Sequence, residues 1–470
     1  MIFNSFSFII IFPILFLCYY IIPSRMNWLR NLYLLIVSYV LYIKLNASAT
    51  IVLFGITAIT YLFALIIRKN IKRKKLIVIT GIILSILPLL TFKYVDFFAE
   101  TINDIFAING LYASIHGLNW IIPIGISFFT FQSVGYLIDV YRQKIEPERN
   151  FLNYALFVGF FPSIVSGPIN KASLLLPQIK NERVYFDYSK AVGGLKYLLW
   201  GMFMKVVVAD RVGLYVDTVY AAYQNYSGLS CFVASILYSI QIYSDFAGYT
   251  LMALGVGKIL GFELTENFRR PYFSTSVTDF WRRWHISLST WLKDYIYISL
   301  GGSRCSKIRG YWNILVTFLV SGIWHGAGWS FIVWGIMHGV CQVIEKIIGQ
   351  NKKNYRGWRK IVKIIITFLV VNFAWIFFRF EDLSDALLFI KRIFTVSGEL
   401  YLPEKTNIVL ILLGVVMLLL KDATDEFYPN KMKFMDNDKC IIRWLSYVSI
   451  FVVIMLCGVF DAGQFIYANF

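Results

Sequence analysis

Apolar runs long enough to cross a bilayer recur along the whole chain, separated by short polar breaks rich in Lys and Arg. A spanning helix needs roughly 20 mostly apolar residues. That length picks out 6–23, 30–46, 50–67, 76–95, 120–140, 192–218, 229–260, 360–379, 407–420 and 443–467. Three stretches depart from the pattern. Residues 151–168 are apolar but interrupted, ending Phe160-Phe-Pro162-Ser-Ile-Val-Ser-Gly167-Pro168, and residues 276–300 are amphipathic. Residues 313–346 are too long for one crossing and too short for two. The apolar part, 313–344, holds about 48 Å of helix, against about 60 Å for two crossings. A broken or re-entrant hairpin is expected, with its break near Gly322 to Gly328 and His325 at the break, inside the membrane's thickness. Non-helical backbone survives at that depth only when buried in protein or lining a wet cavity.

The basic breaks orient the chain. Arg68-Lys-Asn-Ile-Lys-Arg-Lys-Lys75 is the strongest cluster and is expected in the cytosol. Counting back puts Arg25 and Arg30 inside and the N-terminus outside. Counting forward puts the loop 97–119 outside and Arg142 to Arg149 inside again. Residues 303–309, the stretch 345–363 with Lys346, Lys352, Lys353, Arg356, Arg359 and Lys360, and the connector Lys421 to Arg443 are also expected in the cytosol.

Composition sharpens this into a class. With 58% hydrophobic and 15% charged residues over 470 positions, the chain is far more apolar than a soluble protein, which is about a quarter charged. One polytopic membrane domain over 1–470 is the expectation, with no tandem repeat. The net charge of +18 does not mark a nucleic-acid binder, because the cations sit at the ends of apolar runs. They suit anionic lipid headgroups or an anionic cofactor. Six scattered cysteines include no CxxC and no metal or disulfide spacing, so they are expected to be packing residues. The first apolar run lacks a basic leader and a small-residue cleavage site, and reads as a retained helix.

Four histidines stand out in such a chain: His116, His285, His325 and His338. An ionisable group at membrane depth is expensive and is a functional candidate by default. Imidazole is the side chain suited to moving protons near neutral pH. His325 lies in Trp324-His-Gly-Ala-Gly-Trp329, where aromatic rings exclude water and keep the ring neutral, as a general base requires. The bland alternative is a buried histidine bonded across helices. His285 follows Trp284 on the amphipathic segment. Arg282, Arg283 and Lys293 form its polar side, with Trp281, Trp284 and Trp291 as anchors, so an interfacial helix competes with a catalytic reading. His338 is thirteen residues beyond His325, about 220° around a regular helix, so the two are expected to face apart. His116 falls in the predicted external loop. Asp245, in Tyr243-Ser-Asp-Phe-Ala-Gly-Tyr249, needs a partner: a histidine, an arginine, a donor molecule or a structural ion pair. Lys205 with Asp210 and Arg211 calls for the same caution. Gly255-Val-Gly-Lys258 lacks the context of a phosphate loop and reads as helix packing.

Taken in order, several long motifs resemble the membrane-bound O-acyltransferase family. They are Tyr243-Ser-Asp-Phe-Ala-Gly-Tyr249, Glu266-Asn-Phe-Arg-Arg-Pro-Tyr272, Phe280-Trp-Arg-Arg-Trp-His285-Ile-Ser-Leu-Ser-Thr-Trp-Leu-Lys-Asp-Tyr295, Gly301-Gly-Ser-Arg304 and Gly322-Ile-Trp-His325-Gly-Ala-Gly-Trp329. Ser127-Phe-Phe-Thr-Phe-Gln132 and Ser166-Gly-Pro-Ile169 fit its bacterial alginate O-acetyltransferase branch. The motif-bearing core runs from about 120 to 345. The resemblance implies an all-α fold, a ring of about 11–13 transmembrane and re-entrant helices around a central funnel. It implies that His325 is the catalytic histidine and His285 the second catalytic position. The donor would be a cytosolic acyl thioester, acetyl-CoA, used as a substrate and not held permanently, and no metal is implied. Arg282, Arg283, Lys293 and Arg304 are candidates for the donor's phosphates, with lipid headgroups as the competing contact.

The expected reaction is therefore acyl transfer to a hydroxyl destined for an extracellular polysaccharide, in a multi-pass protein of the bacterial inner membrane. Membrane lipid, the acyl donor and an extracytoplasmic acetyltransferase or polysaccharide-modification protein are the expected partners. Three rivals remain: a D-alanyl transferase fed by a carrier protein, a transporter or flippase, which would also bury charges in broken helices, and a scaffold for a polysaccharide synthase. Thioester cleavage separates the enzymes from the last two.

Overall fold

The computed structural model describes residues 3, 5–70, 72–110, 114–165, 167–181, 185–350, 355–429 and 434–460. Ile71, Ser166, Lys352, Lys353 and the end of the last predicted span, 461–467, lie outside the described residues. Among the described residues every regular element is helical. Nine of the helices are long and apolar enough to cross a membrane: Asn27–Leu45, Ala47–Lys69, Lys74–Ile108, Tyr188–Ala221, Gly228–Ile259, Trp329–Ile348, Trp358–Arg379, Lys405–Phe427 and Cys440–Cys457. Their outer faces carry bare aliphatic side chains such as Ile51, Leu76 and Leu445. That is how a helix meets hydrocarbon, which takes over the solvent's role for apolar groups.

Three predicted spans are shorter than expected; the last, 443–467, is helical among the described residues only as far as Cys457. The first run forms Phe6–Ile21 and the 120–140 run forms Ile126–Tyr141, each of 16 residues. The hairpin differs in the other direction. Its first arm starts at Lys307, where the Ser306 hydroxyl caps the helix by accepting from the Arg309 N–H. The arms, Lys307–His325 and Trp329–Ile348, hold 19 and 20 residues, about 30 Å each. The sequence estimate was short because it began at the first strongly apolar position and left the amphipathic first turns uncounted. The break itself falls at Gly326 to Gly328, inside the expected interval.

The helices fall into two compact units. The first comprises 1–194, 256–265 and 467–470; the second, 195–255 and 266–466. In the first unit the Ser127–Gln132 motif lies on the Ile126–Tyr141 helix, where every one of its residues is buried. The Gln132 amide donates to the Phe157 carbonyl and its Oε1 accepts from the Asn170 N–H. The Asn170 side chain accepts in turn from the Thr265 N–H at 3.1 Å. Buried backbone groups of the interrupted segment 151–170 are thus satisfied by side chains rather than by a continuous helix.

All motif residues from Tyr243 to Trp329, except Val256 to Lys258 at the helix end, belong to the second unit. Its part of the Tyr188–Ala221 helix, from Leu195 on, passes through a π-helical stretch, Phe203–Ala209, and lies close to residues 228–255 of the Gly228–Ile259 helix. A Cβ on Gly201 would stand 2.6 Å from the Gly248 carbonyl, and one on Gly248 would stand 2.8 Å from that of Gly201. This glycine crossing brings Asp245 to the buried Lys205. The Lys205 Nζ lies 2.6 Å from Asp245 Oδ1 and 2.7 Å from Asp210 Oδ1. Of the partners open to Asp245, the fold supplies the structural ion pair. The cysteines are free thiols, and Cys18, Cys305 and Cys440 are exposed rather than packed.

Candidate functional site

The site is built on a second close crossing. A Cβ on Gly322 would meet the Phe331 carbonyl at 2.3 Å, and one on Gly335 would meet the Phe318 carbonyl at 2.4 Å. Only glycine allows this approach. It draws the two hairpin arms together beneath the break. His325 ends the first arm and is 1% exposed. Three rings stand edge-on to it: Trp324 at 4.7 Å, Trp334 at 4.9 Å and Phe378 at 5.1 Å between centroids. Phe378 comes from the Trp358–Arg379 helix, so three helices wall the imidazole.

His285 sits at the joint between Val277–Arg283 and Ile286–Leu292, with a left-handed φ of +42°. That conformation is uncommon outside glycine and persists only when the surroundings impose it. Here the extended segment Asn267–Arg269 does so. The Ile286 N–H donates to the Asn267 carbonyl and the Arg269 N–H to the Arg283 carbonyl, both at 2.9 Å. The Asn267 Oδ1 accepts from the Ser287 N–H and hydroxyl at 3.1 and 2.8 Å and lies 3.1 Å from His285 Nδ1. The Ser287 N–H can only donate, so the atom facing it is the amide oxygen, and Nδ1 must carry the proton. The lone pair of His285 is then on Nε2. His285 is fully buried, and burial pushes its pKa down to about 3, so the ring is neutral at physiological pH. Phe246 packs edge-on to it at 4.7 Å. The Trp324 ring contacts both histidines, lying 6.1 Å from His285 and 4.7 Å from His325.

These positions correct the picture of an interfacial helix around His285. Trp281, Trp284 and Trp291 are all buried and are core residues, not interfacial anchors. The correction extends to His338. The helix break invalidates the rotation count, and the two arms turn His325 and His338 towards the same ring: Trp334 lies 4.9 Å from the first and 5.0 Å from the second. His116 is exposed, as expected of a loop position.

A cavity of about 510 Å³ opens beside this cluster, within the size range of ligand sites. Its walls include Trp281, Leu292, Ile314 and Phe318, with Arg282, Lys293 and Lys346 as its charged groups and no acidic side chain among the described lining residues. Arg283 is committed elsewhere. It bridges Asp279 and Glu426 at 3.1 and 2.9 Å, and Glu426 also takes Arg270 and Lys360. Arg304 is exposed next to Ser303, which does line the cavity. The fold therefore gathers two of the four predicted cations at the cavity and adds Lys346, which the sequence offered only as one of many basic loop residues. Glu345 holds this wall in place. Its carboxylate accepts from the Val277 and Thr278 N–H groups at 2.6 and 2.9 Å and from the Thr278 hydroxyl at 2.7 Å, fixing the first turn of the helix that carries Trp281 and Arg282. Neither Glu345 nor Asn267 was singled out from the sequence; Asn267 lay inside a recognised motif, Glu345 in none.

Comparison with known proteins identifies the family. The model of the membrane-bound O-acyltransferase family matches residues 64–381. A probable alginate O-acetylase AlgI of Pseudomonas syringae pv. tomato is 36% identical, over 93% of this chain and 84% of its own length. A peptidoglycan O-acetyltransferase of Helicobacter pylori is 31% identical, over 100% and 98%. A teichoic acid D-alanyltransferase of Bacillus subtilis is 28% identical, over 55% and 69%. The chain is an integral membrane O-acyltransferase and belongs to the membrane-bound O-acyltransferase (MBOAT) family.

Proposed function

We propose that the chain moves an acetyl group from a cytosolic thioester, acetyl-CoA, to a hydroxyl of an extracellular polysaccharide or cell-wall glycan. The observation that carries the reading is the cavity lined by Arg282, Lys293 and Lys346, with no acid among its described lining residues, beside the aromatic cluster in which Trp281 packs on Trp334 and Trp334 on His325. Three cations suit the phosphates of a CoA-type donor, and apolar walls suit its acyl end. Acetyl is favoured over D-alanyl because the O-acetylating relatives align over nearly the whole chain and the D-alanyltransferase over about half.

In this reading His325 accepts the proton of the attacking hydroxyl. The hydroxyl oxygen bonds to the thioester carbonyl carbon, the C–S bond breaks, and the proton passes to the departing sulfur. His285, with Nδ1–H tied to Asn267 and its lone pair on Nε2, suits the orienting of a hydroxyl. In that tautomer Nε2 is an acceptor and does not donate to a developing oxyanion. The cavity faces the cytosol of the bacterial inner membrane, where Arg304 and Lys346 fit the positive-inside pattern. A separate extracytoplasmic acetyltransferase or modification protein is the partner that would take the product onward.

Reconstituted vesicles test this. Inside-out vesicles should release CoA from added acetyl-CoA and right-side-out vesicles should not, and labelled acetyl should appear as alkali-labile ester on glycan enclosed in the inside-out vesicles. Ester formation without CoA release, or equal release from both orientations, would refute the reading.

A further inference from the structure

The helix Lys74–Ile108 is longer than a membrane needs. Its 35 residues make about 52 Å of helix. A hydrocarbon core of about 30 Å holds no more than about 39 Å of that, even at a tilt of about 40°. Leu76 to Phe92 carries no charged residue and accounts for the crossing, with Arg68 to Lys75 at its cytosolic end. At the far end Phe92 packs on Trp120, 5.2 Å between ring centroids, an aromatic pair of the kind that marks a membrane boundary. Beyond it, the first half of the stretch read from the sequence as an external loop is helix as far as Ile108. By the positive-inside pattern this end projects on the extracytoplasmic side.

The projection is braced on one side and bare on another. Asp96 Oδ1 accepts from the Leu118 and Asn119 N–H groups at 2.6 and 3.2 Å. The Asn103 amide donates to the Ile115 carbonyl at 2.9 Å and accepts from the Ile115 N–H at 3.0 Å. The returning segment is thereby pinned along the helix. Phe98, Ile102 and Ile105 follow each other at four and three residues and share another face. They are 58%, 37% and 53% exposed. Glu100 and Asp104, also exposed, lie about 200° round from Phe98 and Ile102. An apolar stripe thus stands clear of the bilayer core with acids behind it.

The charge decides what covers the stripe. A helix that settles into lipid headgroups presents Lys and Arg on its polar face; this one presents acids. A second copy of the chain would bring Glu100 and Asp104 towards their own kind, which costs affinity. We infer that Asp96 to Ile108 is the docking surface for an extracytoplasmic protein whose contact patch is apolar and edged with Lys and Arg. The inference rests on the reading in which such a protein takes the product onward.

The experiment pairs two variants of the full chain, Phe98→Glu with Ile105→Glu, and Glu100→Lys with Asp104→Lys. A charge set into the apolar centre of an interface, or reversed at its edge, costs about tenfold or more in affinity. Purified, both variants should release CoA from acetyl-CoA within about twofold of the wild type. In cells, ester on the extracytoplasmic glycan should fall at least about tenfold. Wild-type ester in both variants would overturn the inference. So would CoA release that falls in step with the ester, since the stripe would then serve the fold and not a partner. Ile105→Cys in right-side-out vesicles of the purified protein separates the other occupants. An impermeant maleimide should label it as fast as Ser114→Cys. Protection by the vesicle lipid, or a dimer linked through Ile105→Cys by a bis-maleimide, would give the stripe to the membrane or to a second copy and overturn the inference. A wild type that releases no CoA would refute the acetyl-CoA reading instead; the surface would then stand or fall on the ester and the labelling.

Discussion

Replacing Lys205 by methionine should be among the most damaging single changes in the second unit. The ammonium is 2% exposed and sits 2.7 Å from Asp210 and 2.6 Å from Asp245, which are themselves nearly buried. Methionine keeps most of the side chain's length and removes its charge, leaving two carboxylates facing each other without a cation. Breaking one buried pair costs about 3–5 kcal/mol. Here one cation serves two acids, so the loss should lie near the upper end, about 5 kcal/mol, limited by proton uptake on one carboxyl. Whole domains are stable by only about 5–15 kcal/mol. The damage should also reach the site, because Phe246, next to Asp245, packs on His285. The assay is the thermal midpoint of the detergent-purified protein, followed by tryptophan fluorescence, with size exclusion to count folded material. Lys205→Met should fall far below the wild type, and the triple change Lys205→Met, Asp210→Asn, Asp245→Asn should recover most of the difference, since no buried charge is left unpaired. A single variant with the wild-type midpoint, or a triple variant no better than the single, would refute the argument.

Other consequences can be checked in the same preparation. Gly335→Val puts a side chain where even a Cβ would meet the Phe318 carbonyl at 2.4 Å. It should cost about 1–3 kcal/mol in stability and lower turnover further by spreading the hairpin that places His325. Glu345→Ala removes the acceptor of three hydrogen bonds at the helix carrying Trp281 and Arg282. It should cost about 2–3 kcal/mol and raise the donor KM; an unchanged KM would disconnect that helix from the donor. Arg282→Gln, Lys293→Gln and Lys346→Gln should each raise the donor KM up to about fivefold at low salt, less at high salt, whereas Arg283→Gln should lower the thermal midpoint instead. His285 gives a pH signature. Its folded pKa, about 3, lies below the unfolded value of about 6.5. Its contribution to stability is therefore complete above about pH 6.5 and declines as the pH falls towards 3. A His285→Gln variant should lack that part of the acid sensitivity, seen as a smaller drop in midpoint between pH 7 and 5.

Much of this was legible in the chain because bilayer physics writes itself into sequence as runs of apolar residues. The spans, the break at Gly326 and the two tryptophan-linked histidines all follow from run length and from the cost of polar groups at depth. Rotational arguments failed where the helix stops. His338 was placed opposite His325 by counting 100° per residue through a segment that the fold bends back on itself. The burial of Trp281, Trp284 and Trp291 was missed because a short amphipathic segment looks the same whether it lies on a membrane or is wrapped by other helices. Pairings over long sequence separations left no local trace: Lys205 with Asp245, Glu345 with the Thr278 turn, and Glu426 drawing Arg283 away from the cavity. Asn267 could have been found by asking what holds a histidine at a joint between two short helices.

The most direct measurement is acetyl-CoA cleavage by purified wild-type protein and by His325→Ala, each first shown to have the same thermal midpoint. Transfer catalysed at His325 predicts CoA release by the wild type, stimulated by a hydroxyl acceptor, and loss of at least about 100-fold in the variant. Turnover retained in a folded His325→Ala protein would contradict it and move the chemistry elsewhere in the aromatic cluster.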